Sequence, residues 1–183
     1  YHNNNSIFPL STSSNSKMLD CNENGYYTTY HTDRYGFNNP DELWDRKKIE
    51  YLLVGDSFTL SQCVNKPDGI ASVLRTLSKK PVINLASGGN GPLIEYATLR
   101  EYLNPNVKKV VWIFYEGNDL KELNIELNNK VLINYINDLT FTQNLKLRQN
   151  EVDELANNMI LELLAEQENN TSDLQKKGKI NLL

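Results

Sequence analysis

Histidine is nearly absent from this chain. Only His2 and His31 occur in 183 residues, so no imidazole base or ligand can come from any position after 31. Cysteine is equally sparse. Cys21 and Cys63 are too few for a disulfide framework and do not have metal-ligand spacing. Two free thiols are the expected state, with a single bridge conceivable in an exported protein. Without a Cys/His cluster nothing holds zinc, and neither a metal nor a cofactor is implied. No apolar run approaches the roughly 20 residues of a membrane span. No Lys/Arg-rich run occurs and the net charge is −4, which leaves no electrostatic footprint for nucleic acid or an anionic membrane surface.

What is present suits one globular domain. The length allows a real core, and 39% of the residues are hydrophobic. Residues 1–40 read as an amino-terminal arm and a short extended segment. Its first half, YHNNNSIFPLSTSSNSKMLD, is rich in Asn and Ser and predicts a loosely held arm or linker. The run GYYTTYHTDRYGFNNP suits short extended pieces ending in a turn. A short helix is expected from Pro40 through Trp44. The chain opens at Tyr1 and closes in KKGKINLL, so a missing leader or anchor and an element just beginning are both expected.

Residues 41–124 carry the clearest pattern. Apolar runs at 49–54, 81–86 and 107–115 alternate with helical stretches at about 70–79 and 92–103. Strand–helix–strand alternation with mostly apolar strands predicts a parallel sheet covered on both faces. From 125 to 183 helical periodicity dominates, with Val152, Leu155, Met159, Ile160 and Leu163 on one face. Residues 131–147 are ambiguous between helix and strand.

The carboxyl ends of parallel strands share one edge, where α/β proteins bind ligands. Each run here ends in a polar turn containing glycine: Gly55-Asp56-Ser57, Ser87-Gly88-Gly89-Asn90-Gly91, and Glu116-Gly117-Asn118-Asp119. Ser57 either presents a nucleophile or merely caps the following helix, whose positive end would favour negative charge by about 0.3–1 kcal/mol. Gly88-Gly89 either lets the backbone approach a substrate or makes an ordinary turn. Asn118 either donates an amide N–H to an oxyanion or serves as a turn residue. Together they compose an acyl-transfer site without its base.

The blocks VGDS, NLASGGNG and EGND resemble the first three blocks of the SGNH (GDSL-type) hydrolase family, with Phe58-Thr59 where the family's nickname has Leu. That resemblance covers about residues 30–122. It implies an α/β fold, a three-layer αβα sandwich with a parallel sheet (SGNH/flavodoxin-like), incomplete here and carrying an added helical segment. It makes Ser57 the nucleophile and an oxyanion donor through its own N–H. Gly89, five residues after Asn84, would supply a backbone N–H and Asn118 an amide. Gly55, Asp56 and Asp119 would support these turns. The implied substrate is an acyl ester, such as an acylated envelope saccharide or lipid. TDRYGFNNP followed by VGDSFT resembles a bacterial branch found in the cell envelope, often with an amino-terminal anchor, which implies an envelope or periplasmic location.

The family's closing Asp-x-x-His block has no counterpart: Asp138, Asp153 and Asp173 all lack a histidine three residues on. Three accounts are open. The chain could stop before that block, with 125–183 an insertion or lid. It could be a catalytically silent relative that binds or assembles through the same crevice. Or His31, held by Asp33 or another carboxylate, could reach the site from the amino-terminal segment. A flavodoxin-like ligand-binding domain is a further reading, for which GDSFTLS is a poor phosphate loop.

Overall fold

The computed structural model describes residues 7–23, 25–162 and 165. Two short strands, β1 (Lys17–Leu19) and β2 (Thr29–His31), form an antiparallel pair with Lys17 opposite His31. A 3-10 turn at Asp41–Asp45 stands where the short helix is expected. Then come β3 (Ile49–Val54), α1 (Ser57–Leu60), α2 (Ile70–Ser78), β4 (Val82–Asn84), α3 (Pro92–Tyr102) and β5 (Val107–Trp112). α4 (Asp119–Glu126), α5 (Lys130–Asn137), a 3-10 turn (Leu145–Leu147) and α6 (149–162) follow.

The larger sheet has the order β4-β3-β5 and is wholly parallel, with Leu52 opposite both Ile83 and Val110. The protein is therefore an α/β fold in which β3, the first of the three parallel strands in sequence, lies at the centre. β3 is covered on both faces. Leu52 joins the main core with Leu93, Ala97 and Tyr102 of α3, while Leu53 packs with Ala71 of α2 and Val82. β5 departs from the expectation of two covered faces: Val110, Val111 and Trp112 remain 42%, 37% and 41% exposed. Among the described residues no strand pairs with its outer edge.

Two strands are shorter than the apolar runs. β4 ends at Asn84 because that side chain turns the backbone away, accepting from the Ala86 N–H and donating to Thr59 O. β5 ends at Trp112. Ile113 still donates to Val54 O, but the Tyr115 N–H is taken by the Asp119 carboxylate at 2.6 Å.

The amino-terminal arm is not loose over its described part. Ile7 and Leu10 are buried in the main core. Phe8 exchanges bonds with the Gln143 side chain, and the Ser14 N–H and hydroxyl both donate to Asp153 at 2.8 and 2.7 Å. A few well-placed apolar residues and a row of short hydroxyls anchor it, although its composition reads as a linker. His2 lies outside the described residues.

Residues 131–147 resolve into α5 and an irregular loop. Asn129 fixes the start of the helix by accepting the N–H groups of Val131 and Leu132. The segment packs into the main core through Leu132, Tyr135 and Leu145. Glu101 of α3 ties it down, accepting from Tyr135 Oη, Thr142 Oγ1 and the backbone of Gln143 and Leu145. In α6 Val152 is buried and Leu155 packs on the core, whereas Met159 and Ile160 are exposed; Leu163 lies outside the described residues.

Cys21 and Cys63 form a disulfide, with Cα atoms 5.1 Å apart. This corrects the expectation of free thiols. Forty-two positions separate them, and only the folding of the β1–β2 hairpin against the loop after α1 brings them within bridging distance.

Candidate functional site

The turn after β3 is held from both sides. A side chain at Gly55 would meet Ile113 O at 2.8 Å and Thr59 Oγ1 at 2.1 Å, so only glycine lets β3 run this close to the exit of β5. Asp56 is buried and caps α1, its Oδ1 accepting the Phe58 N–H at 2.9 Å. Ser57 is the first residue of α1 and half-buried. Neither its hydroxyl nor its N–H bonds to another described residue. α1 is a single turn that stops at Ser61 in a left-handed conformation, so the helix-end field at Ser57 is weaker than a full helix would supply.

The second turn follows β4. Gly89 adopts φ +77°, and a Cβ there would meet nothing within 4 Å. The left-handed backbone favours glycine on conformational grounds, and open space lies above it. Its N–H has no partner among the described residues. Gln62 approaches the neighbouring glycine, Oε1 lying 3.0 Å from where a Gly88 Cβ would stand. The third turn places Asn118 at the amino-terminal cap of α4. Its Nδ2 donates to Glu122 Oε1 at 3.0 Å, which orients the amide and leaves a second N–H for other use. Asp119 is buried and spends one oxygen on the Tyr115 N–H.

The parallel strands bring all three turns to one sheet edge. α1, just past the first turn, touches the exits of both neighbouring strands: Asn84 Nδ2 donates to Thr59 O at 2.8 Å, and the Phe58 and Tyr115 rings lie 4.3 Å apart. A cavity of about 440 Å³ opens beside Ser57.

His31 does not join this edge. It sits exposed on β2, and Asp33, the carboxylate expected to hold it, is buried and already accepts from Tyr35 N, Phe37 N, Asn39 Nδ2 and Trp44 Nε1. Burial raises the Asp33 pKa, against the lowering effect of these four donors. TDRYGFNNP is thus a structural knot. Gly36 belongs to it: at φ +83° its backbone lies where a Cβ would stand 1.9 Å from Thr12 O.

Sequence reasoning missed two carboxylates, Glu126 and Glu95, that accept hydrogen bonds next to these strand ends. Glu126 accepts from the N–H groups of Gly91, Leu93 and Ile94 and so caps α3 from a distance of more than 30 residues. Glu95, on the inner face of α3, accepts from Trp112 Nε1 of β5. Burial pushes its pKa up to about 7; the Trp112 bond opposes this, and the charges of Asp119, Asp56 and Glu126 add to it. Burial also raises Asp119 and Glu126. Glu95 Oε1, Asp56 Oδ2 and Asp119 Oδ1 are buried without a hydrogen-bond partner among the described residues. The available signal was Glu95 in PLIEYATLREY, an acid on a helix stripe that also carries buried Thr98 and Tyr102. Among the described residues no cluster of His, Cys, Asp or Glu is arranged to hold a metal ion.

The structure is thus an α/β fold with a parallel sheet and a cavity beside Ser57, lined by α1, the segment after it and Glu23; Gly89 and Asn118 share the sheet edge with Ser57 but do not line that cavity. Comparison with family models, with curated proteins and with solved structures yields no match.

Proposed function

We propose that this chain is the nucleophile-bearing portion of a serine esterase or acyltransferase of SGNH type. The supporting observation is the Ser57 hydroxyl, unbonded at the end of the central strand, on the same sheet edge as the unbonded Gly89 N–H and the Asn118 amide. In this reading Ser57 Oγ attacks the acyl carbon of an ester. The tetrahedral oxyanion is held by the N–H groups of Ser57 and Gly89 and by Asn118 Nδ2, each donor contributing on the order of 3 kcal/mol in the transition state. A base from outside this chain takes the serine proton and returns it to the leaving alcohol oxygen. Water or a sugar hydroxyl then takes the acyl group and regenerates Ser57. Asp56 and Asp119 hold the turns rather than react. The Cys21–Cys63 bridge supports an exported, envelope setting, where an acylated saccharide or lipid is available as substrate.

The 183 residues alone are expected to turn over little, because losing a member of a serine triad costs about 10⁶ in kcat. External imidazole should raise that rate. Covalent labelling of Ser57 by a fluorophosphonate in the complete gene product, abolished in Ser57→Ala, tests the reading; no labelling there would overturn it. A second reading, a non-catalytic binding module using the same crevice, is favoured by the lack of any histidine beside Ser57 among the described residues.

A further inference from the structure

The cavity beside Ser57 has a chemistry of its own. Its volume of about 440 Å³ lies within the range of small-molecule sites, about 300–1,000 Å³. Phe58, Val64 and Ile70 supply apolar wall and are left 55%, 44% and 41% exposed, a concentration of unburied apolar surface at one place. Among the described residues, the charged ones lining it are Glu23 and Asp68, and no Lys, Arg or His lines it.

The wall is also built to keep its shape. The loop after α1 has two left-handed residues, Ser61 at φ 62° and Cys63 at φ 65°, and three ties hold it. The disulfide joins Cys63 to Cys21, Asp20 Oδ2 accepts the Cys63 N–H at 3.1 Å, and Ser61 Oγ accepts the Ile70 N–H at 2.8 Å. A preformed recess of this kind binds without first paying to order a loop.

We propose that this cavity is a subsite for a compact organic cation, an ammonium group carried by the alcohol or acyl part of the ester presented to Ser57. Apolar walls accept the methyl or methylene groups around the nitrogen, and the Phe58 ring attracts the charge. Glu23 and Asp68 add a field of one sign, which a phosphate or carboxylate would meet as repulsion. Naming the cation as part of a substrate rests on Ser57 being the nucleophile; the binding itself does not.

The test uses the full chain with Val64 and Ile70 methyl groups labelled for NMR, titrated with choline and with its uncharged isostere 3,3-dimethylbutan-1-ol. Choline is expected to shift both methyl groups and to bind roughly three- to tenfold more tightly than the alcohol at low salt. That preference should shrink in 0.5 M salt and vanish in the double variant Glu23→Gln/Asp68→Asn, with its fold verified by circular dichroism. Equal or tighter binding of the neutral alcohol, or no methyl shift with either ligand, overturns the proposal. Fluorophosphonate labelling, run in parallel, separates the two claims. Choline binding without labelling keeps the subsite and removes the nucleophile, whereas labelling without preference does the reverse.

Discussion

β3 and β5 are both six residues long, both mainly apolar and hydrogen-bonded to one another, yet they live in different solvents. Leu52, Leu53 and Val54 are at most 1% exposed, while their partners Val110, Val111 and Trp112 keep more than a third of their surface. The contrast lies in neighbours and not in composition. β4 and its flank are roofed by a polar lattice: Arg75 reaches Val82 O and Asn39 Oδ1, and Asn39 also accepts the Asn84 N–H and donates to Asn84 O. On the other side β5 is tied to the rest by the Trp112–Glu95 bond and by Lys108 and Lys109 against Glu50. A strand's apolar residues show that it can be buried; what lies beside it decides whether it is.

Substitutions should separate the two flanks. Leu52→Ala leaves a hole in the middle of the core and is expected to cost about 4 kcal/mol in urea unfolding. A cost below about 1 kcal/mol would erase the distinction between the strands. Next comes the disulfide on the β3 side: Cys21→Ser/Cys63→Ser opens a 42-residue closure and should lower stability by about 3–4 kcal/mol, measured in the same way.

The β5 side should instead carry the pH dependence. Folding raises Glu95 from 4.5 to about 7, so the folded state keeps that proton longer as pH rises. Its stabilising effect is complete below pH 4.5 and is lost between there and about pH 7, a fall on the order of 3 kcal/mol. The raised pKa values of Asp119 and Glu126 act in the same direction. Glu95→Gln keeps an oxygen for Trp112 and should flatten the slope, read from urea midpoints at pH 5 and 7.5. An unchanged slope would put the titration elsewhere. The smallest effect belongs to Val111→Ala on the open strand, expected within about 0.5 kcal/mol. A loss comparable to that of Leu52→Ala would mean that β5 is covered in solution.

Much of this was legible in the chain, because strands and helices write their period locally. IEYLLV ends at Val54 as read, and the helix over 92–102 begins at Pro92, where proline suits a first turn. The three polar turns could be placed on one edge from alternation alone. The remainder depended on distance. The disulfide partners lie 42 positions apart, and Glu126 caps a helix whose first N–H groups belong to residues 91–94. Asp33 reads as one acid in a Tyr/Thr-rich run, and only the folded chain shows four donors converging on it. The exposure of β5 was invisible for the opposite reason: its sequence is that of a strand with company on both sides.

Glu126 has a further consequence. Helix starts in α/β crevices are where phosphate-bearing ligands usually gain their grip. Here the chain has installed its own carboxylate on that spot, with Gly91 N–H held at 2.7 Å and Leu93 N–H at 2.9 Å. A nucleotide arriving at α3 would compete with an occupant whose local concentration is set by the fold, on the order of millimolar or above, and would meet its negative charge besides. The molecule thereby disfavours one large class of guests at this helix, while the Ser57 hydroxyl on the same sheet edge stays unbonded among the described residues.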